Sequence, residues 1–242
     1  AGEGGTAGRV IAIGDIHGCV NALDALIEAV APEADDLLIV LGDFIDQGYE
    51  TRMVIDALID LQDRCRLVCL LGNHEEMLLA ARDNEAALRY WEMCGGVQTL
   101  NSFRFGATVD AIPAAHWDFL AGCRDYFDTD THLFVHANFD PALAPSEFAD
   151  HTLRWEILDP ELARCHESGK TVILGHTEQT SGEVLDLGCI KCIDTAAWRY
   201  GWLTALDAAS GEIWQASRFG QLRERAEPPV GPIGPRPQPA GT

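Results

Sequence analysis

Five side chains able to hold a divalent cation fall in three short motifs near the start of the chain. Asp15 and His17 lie in Gly14-Asp15-Ile16-His17-Gly18, Asp43 in Gly42-Asp43-Phe44-Ile45-Asp46, and Asn73 and His74 in Gly72-Asn73-His74-Glu75. Carboxylate, neutral imidazole and amide oxygen together suit borderline divalent ions such as Mn, Fe and Zn, whereas a set poor in thiolates disfavours a structural zinc site. The pattern fits two ions better than one. A carboxylate such as Asp43 can bridge a pair about 3.5–4 Å apart, a spacing suited to in-line displacement at phosphorus.

Each motif closes an apolar run, Val10 to Ile13, Leu37 to Leu41 and Leu67 to Leu71, with the length and composition of a buried strand. One sheet edge therefore receives all five residues, at the carboxyl ends of the strands where open α/β sheets bind ligands. Two later runs, Leu133-Phe134-Val135-His136 and Val172-Ile173-Leu174-Gly175-His176, repeat the pattern of a strand ending in His. A single strand-terminal His is usually solvated; two that match three upstream motifs read as further ligands.

These residues resemble the phosphoprotein phosphatase (PPP) family of metallophosphoesterases, through its GDxHG, GDxxDRG and GNHE motifs and its two later His-bearing strands. Similarity extends to Trp91 through Leu100, to Arg154-Trp155 and to Ile193-Asp194-Thr195, and covers Arg9 to Gln215. The resemblance implies a double β-sheet sandwich flanked by helices (α/β/β/α) and two divalent metal ions, Mn2+ foremost, with Fe or Zn suiting the same ligands. Asp15, His17 and Asp43 would hold one ion and Asn73, His136 and His176 the other, with Asp43 shared. His74 would be the general acid, oriented by Asp46, and Arg154, Asn73 and Gln47 would face the phosphate. A hydroxide bridging the ions would attack phosphorus directly, without a phosphoenzyme.

Position 47 departs from the family, which usually carries Arg there; Gln cannot replace a guanidinium fork on a dianionic phosphate. Tolerated change within a monoesterase is one reading, and a substrate with less charge at phosphorus is the other. Glu75 and Asp46 look like the protein phosphatase branch, while Gly14 to Cys19 also resembles diadenosine tetraphosphate hydrolases. The reading adopted is a phosphomonoesterase acting on phosphoserine or phosphothreonine in proteins. A symmetrical dinucleoside polyphosphate hydrolase or phosphodiesterase on the same fold is the alternative, and a silent binding module ranks last. Ala196 stands where the family usually has Gly.

Ligands spread from Asp15 to His176 require one domain, set at residues 1–226, with a helical cap over about 76–127. Leu23, Leu26, Ile27 and Val30 form an apolar stripe on a helix from Val20 to Val30, and Met53, Val54, Ala57, Leu58 and Leu61 form another. Asn73 and His74, taken as strand-end neighbours, should point in opposite directions. Trp91 reads as a buried anchor, with a substrate contact from Trp91 or Tyr90 as a weaker option. Strands over Glu183 to Leu187, Cys189 to Ile193, Trp202 to Asp207 and Glu212 to Ala216 suggest a second, more antiparallel sheet. Residues 227–242 hold six of the eleven prolines and read as a disordered tail.

With 38 Asp plus Glu against 17 Lys plus Arg, a formal charge of −21 should repel nucleic acid and anionic membranes. The expected partner is a phosphoprotein or small phosphoester substrate. The eight cysteines read as free, mostly buried thiols, the Cys189-x-x-Cys192 pair included, because its two side chains would point to opposite faces of a strand. Free thiols and the lack of a visible secretory signal make cytoplasm the expected location. His116, His132, His151 and His166 read as surface or satisfied residues.

Overall fold

The computed structural model describes residues 8–224. The Pro-rich segment 227–242 lies outside the described residues. Three parallel strands, β1 (Val10–Ile13), β2 (Leu37–Val40) and β3 (Arg66–Cys69), alternate with helices α1 (Val20–Val30) and α2 (Thr51–Leu61). A helical stretch follows: α3 (Asn73–Ala81), α4 (Glu85–Trp91), a π turn (Glu92–Gly96), α5 (Val97–Phe103) and α6 (Ala114–Ala121). The second half supplies β4 (Tyr126–Asp128), β5 (His132–Val135), α7 (Asp150–Arg154), β6 (Thr171–Leu174), β7 (Leu185–Asp186), β8 (Ile190–Cys192), β9 (Leu203–Asp207) and β10 (Ile213–Ala216).

Two five-stranded sheets result, ordered β10-β9-β1-β2-β3 and β4-β5-β6-β8-β7. Their composition corrects the expectation of a separate C-terminal sheet. β9 pairs antiparallel with β1, so the last two strands complete the first sheet, while β5, β6 and β8 form a parallel centre for the second. The two-residue side-chain period of a strand then sorts the core into layers. Ile11, Ile13, Leu38 and Val40 pack with α1, α2 and the helical stretch, while Ala12, Ile39 and Leu41 meet Phe134, Ile173 and Ile193 of the other sheet. Leu133, Val135, Val172 and Leu174 pack with Phe148 and Leu153. Both sheets are thus buried on two faces, which explains why their strands read as continuous apolar runs.

On α2 the inward residues are Val54, Ile55, Leu58 and Leu61. Met53, placed in that stripe by sequence, is instead exposed. The thiol expectation is also corrected: Cys165 and Cys189 form a disulfide, while the six other cysteines are free. Cys192, three residues from Cys189, does point elsewhere, toward the carbonyls of Gly175 and Thr177. Cys165 lies in an irregular segment with no spacing pattern to mark it, and the bridge removes the argument for a reducing compartment that rested on free thiols. Closing a loop of 24 residues is worth about 3 kcal/mol on the chain-entropy account. A Cys165→Ser, Cys189→Ser double variant is therefore expected to melt several degrees lower, whereas an unchanged melting temperature would remove the bridge from the stability of the second sheet. Among the described residues no helix is long and apolar enough to cross a membrane.

Candidate metal centre

Three loops leave the ends of β1, β2 and β3, and three more leave β5, β6 and β8. They meet where the sheets face each other, and six non-glycine residues there adopt left-handed backbone: His17, Asp43, Asp46, Gln47, His176 and Ala196. Such conformations cost roughly 1–3 kcal/mol each and cluster where side-chain direction matters more than local stability. Ala196 is informative, since the glycine usual in the resembled family would adopt φ 58° without that cost. Its N–H donates to Asp194 Oδ1 at 3.0 Å, which holds the turn nonetheless.

Asp43 is central. Its Oδ2 lies 3.7 Å from His17 Nε2 and 3.5 Å from His136 Nε2. Two sets converge on it, His17 with Asp43 and His74, and Asp43 with His136 and His176, and within each set the ligand-type atoms lie within 4.8 Å of one another. The imidazoles are aimed from behind. His17 Nδ1 donates to the Ile45 carbonyl at 2.9 Å and His136 Nδ1 to the Leu41 carbonyl at 2.8 Å, so each Nε2 presents its lone pair to the centre. His176 is held the other way, with Nε2 donating to the Trp155 carbonyl at 3.3 Å, which leaves Nδ1 facing inward.

The donor set fits cations. Asn73 Oδ1 stands 3.1 Å from His136 Nε2, an acceptor facing an acceptor, and its neighbours Asp43 and His176 Nδ1 also lack protons to offer it. A cation among these atoms satisfies them all; otherwise the amide must turn over. Protonation states agree. Burial lowers the pKa of His17 and His136 to about 4 and lowers that of His176, so all three are neutral imidazoles, the form in which histidine binds a cation. Burial raises Asp15 well above the usual carboxylate range, with Asp194 and Asp43 adding to it, and raises Asp194 to about 7. Buried carboxylates crowded in this way call for positive charge. Asp15 stands outside both convergent sets; its two oxygens accept the His176 N–H at 3.2 and 3.1 Å.

His74 is the exception among the histidines. Burial opposes its charge, but Asp43, Asp46 and Glu75 outweigh burial and raise its pKa to about 9. Nδ1 donates to Asp46 Oδ2 at 2.8 Å. Asp46 is itself fully buried and fixed by Trp91 Nε1 at 2.7 Å and by Thr99 Oγ1, which donates to Oδ1 at 2.6 Å. Trp91 is therefore an anchor for Asp46, and full burial removes it from substrate contact. A protonated imidazole aimed by a carboxylate is the arrangement of a general acid.

Asn73 and His74 diverge for a reason other than the one read from sequence. The strand ends at Cys69, and both residues open α3, where the His74 backbone N–H donates to Asp43 Oδ1 at 3.1 Å. Glu75, two residues into that helix, accepts four backbone N–H groups, from Asp43, Phe44, Ile45 and Gly72, at 2.8 to 3.2 Å. Its reach back to Gly72, the residue before the helix, is half of a capping box, a signal legible at this spacing but not assigned to the Asp43 loop by the sequence reading.

Two of the three expected phosphate contacts, Gln47 and Arg154, are engaged otherwise. Gln47 Nε2 donates to the Cys94 carbonyl at 2.9 Å, tying the metal loop to the π turn. Arg154, buried, donates from Nη1 to Glu76 Oε1 at 2.9 Å and from Nη2 to Asp125, while its Nε has no partner. Glu76 also accepts Trp155 Nε1 at 2.5 Å. Sequence gave no sign of this carboxylate cage.

The calcineurin-like phosphoesterase family matches residues 8–194. Over 79 residues the chain is 39% identical to the symmetrical bis(5'-nucleosyl)-tetraphosphatase of Pseudomonas fluorescens SBW25, a match covering 32% of this chain and 27% of that one. The Pseudomonas putida GB-1 protein of the same name is 40% identical over 80 residues, covering 32% and 27%. The matched part is thus little more than a quarter of these curated relatives. Among solved structures, one provisionally described as a diadenosine tetraphosphatase superposes with a TM-score of 0.65 at 19% identity, covering 87% of this chain and 94% of that one. A serine/threonine phosphatase from Saccharomyces cerevisiae gives 0.59 at 13% identity, covering 93% and 82%. At those identities both bear on the fold alone. The family match spans most of the chain and every candidate ligand from Asp15 to His176, and is broader than the protein phosphatase branch suggested by the motifs: this chain belongs to the calcineurin-like phosphoesterases.

Proposed function

We propose that this phosphoesterase cleaves at a phosphorus carrying a single negative charge, with dinucleoside polyphosphates as the substrate class. The observation that carries the reading is the state of Gln47 and Arg154, two of the three side chains expected to face the phosphate. Gln47 is uncharged and bonded to the cap, and the Arg154 guanidinium is matched by Glu76 and Asp125. A terminal phosphomonoester, close to dianionic at neutral pH, gains most from a free guanidinium fork. An interior phosphoryl group of a polyphosphate bears one charge and needs that fork less. The partial similarity to symmetrical bis(5'-nucleosyl)-tetraphosphatases supports the same reading.

Asp15, His17, Asp43, Asn73, His136 and His176 would hold two divalent ions, Mn2+ foremost, with Fe or Zn compatible. When bound, such ions polarise phosphoryl oxygens and lower the pKa of water. The chain's own part is to aim His74 at the leaving oxygen, with Asp46 keeping the imidazole charged until it gives up its proton.

That dyad favours a second reading, a protein serine/threonine phosphatase, because an alkoxide leaving group needs protonation far more than a phosphate does. The two readings separate in kcat/KM of Mn-loaded protein on diadenosine tetraphosphate, a phosphodiester and a phosphothreonine peptide, beside a metal-stripped control. Preference for the tetraphosphate is expected; preference for the peptide would transfer the assignment to the second reading. Gln47→Arg is expected to lower KM for a monoester by about tenfold, the worth of one charge-assisted contact. His74→Asn is expected to cut turnover about 10²–10⁴-fold on alkoxide-leaving substrates and less on aryl ones. Equal losses on both would take the proton-donor role away from His74.

A further inference from the structure

Five of the fourteen exposed large apolar side chains among the described residues lie on two segments beside the metal loop, and the other nine are scattered from Phe105 to Leu222. Tyr49, in the loop before α2, Met53, in its first turn, and Tyr90, Met93 and Val97, from α4 through the π turn into α5, all sit on the two segments that the Gln47 to Cys94 hydrogen bond joins. Tyr49 is 64% exposed and Met93 86%. The joint is tight: a Cβ on Gly95, whose φ is 118°, would come within 3.0 Å of the Gln47 backbone nitrogen. Asp46, which orients His74, is the next residue along. The exposed apolar side chains therefore flank, along the chain, the joint between Gln47 and Cys94, and Gln47 directly follows Asp46.

Charge around this rim of side chains selects what can sit there. Glu50 and Glu92 flank Tyr49 and Met93 in the chain, and the nearby cations are already taken, Arg52 by Asp56 and Arg89 by Glu85. A further phosphate would meet repulsion. A flat neutral ring would find two phenol rings and two polarisable thioethers, surfaces that stack on or pack against any π face.

We propose that Tyr49, Met53, Tyr90 and Met93 form a subsite for a nucleobase of the substrate, placed beside the phosphoryl group held at the metal centre. The proposal rests on the polyphosphate reading above, and it assigns Gln47 to the floor of the subsite as the residue that fixes the cap against the metal loop. Rim residues of this kind act on ground-state binding, so their loss appears in affinity and KM with little change in kcat.

The test uses Mn-loaded full-length protein and two non-hydrolysable probes, α,β-methylene-ADP and methylenebisphosphonate, which share the bridged diphosphate and differ in the nucleoside. Dissociation constants are measured by calorimetry for the unaltered chain and for a Tyr49→Ala, Met93→Ala double variant whose metal content and melting temperature are checked first. The expected result is a nucleotide preference of about tenfold, in line with base stacking on side chains, that disappears in the variant. Equal affinities in the unaltered chain, or a preference that survives in the variant, would overturn the subsite. A phosphothreonine peptide whose binding alone is weakened by the variant would give the rim to a peptide side chain and also overturn it. Nucleotide preference without hydrolysis of diadenosine tetraphosphate would leave the subsite standing and remove the catalytic reading.

Discussion

Asp43→Asn is expected to release both cations and to lower kcat/KM by roughly a thousandfold or more, the scale of several kcal/mol of metal-derived stabilisation. The reason is position. Asp43 is the one carboxylate common to both convergent sets, and its Oδ2 lies within 3.7 Å of an imidazole nitrogen from each. Asparagine keeps an oxygen for the His74 backbone N–H, which Asp43 Oδ1 accepts at 3.1 Å, so the loop can keep its shape while its charge is lost. Metal analysis after dialysis, with melting curves before and after adding Mn2+, separates the two effects. Two equivalents of tightly held metal in a folded variant would refute the shared-ligand assignment.

Glu75→Ala should do most damage to stability. The side chain is fully buried and gathers four backbone N–H groups from two different loops. Leaving one buried donor unpaired costs about 1–3 kcal/mol, so stranding four would remove on the order of 4 kcal/mol or more, a large part of a typical 5–15 kcal/mol total. A fall of ten degrees or more in melting temperature is expected, with metal binding lost alongside. Glu75→Gln keeps the shape and one acceptor oxygen, and should retain the fold with weakened metal affinity. A Glu75→Ala protein as stable as its parent, or a Glu75→Gln protein with unchanged metal affinity, would show that this carboxylate does not hold the Asp43 loop.

What was legible in the sequence follows from what each pattern encodes. β1 and α1 have the boundaries read from sequence, because a fully buried strand and a one-sided helix write their burial directly into residue type. The convergence of His17, Asp43, Asn73, His74, His136 and His176 was legible from motifs at strand ends. Strand partners were not, since an apolar run buried on both faces says nothing about its neighbours; hence β9 and β10 were assigned to the wrong sheet. The Cys165 to Cys189 bridge and the Arg154 cage depend on segments far apart in the chain with no periodic signal. Met53 lies at the edge of the α2 stripe, outside the Val54, Ile55, Leu58 and Leu61 face that packs inward, and residue type alone does not mark that edge.

The pairing of β1 with β9 also dictates an order of assembly. During synthesis β1 leaves the ribosome well before one of its two neighbours, β9, and His136 and His176 also follow it at a distance. Contacts so distant in sequence are slow to form and leave strand edges open meanwhile. The candidate metal centre thus closes only after His176 has been made, and a chain cut before Leu203 lacks the antiparallel neighbour of β1.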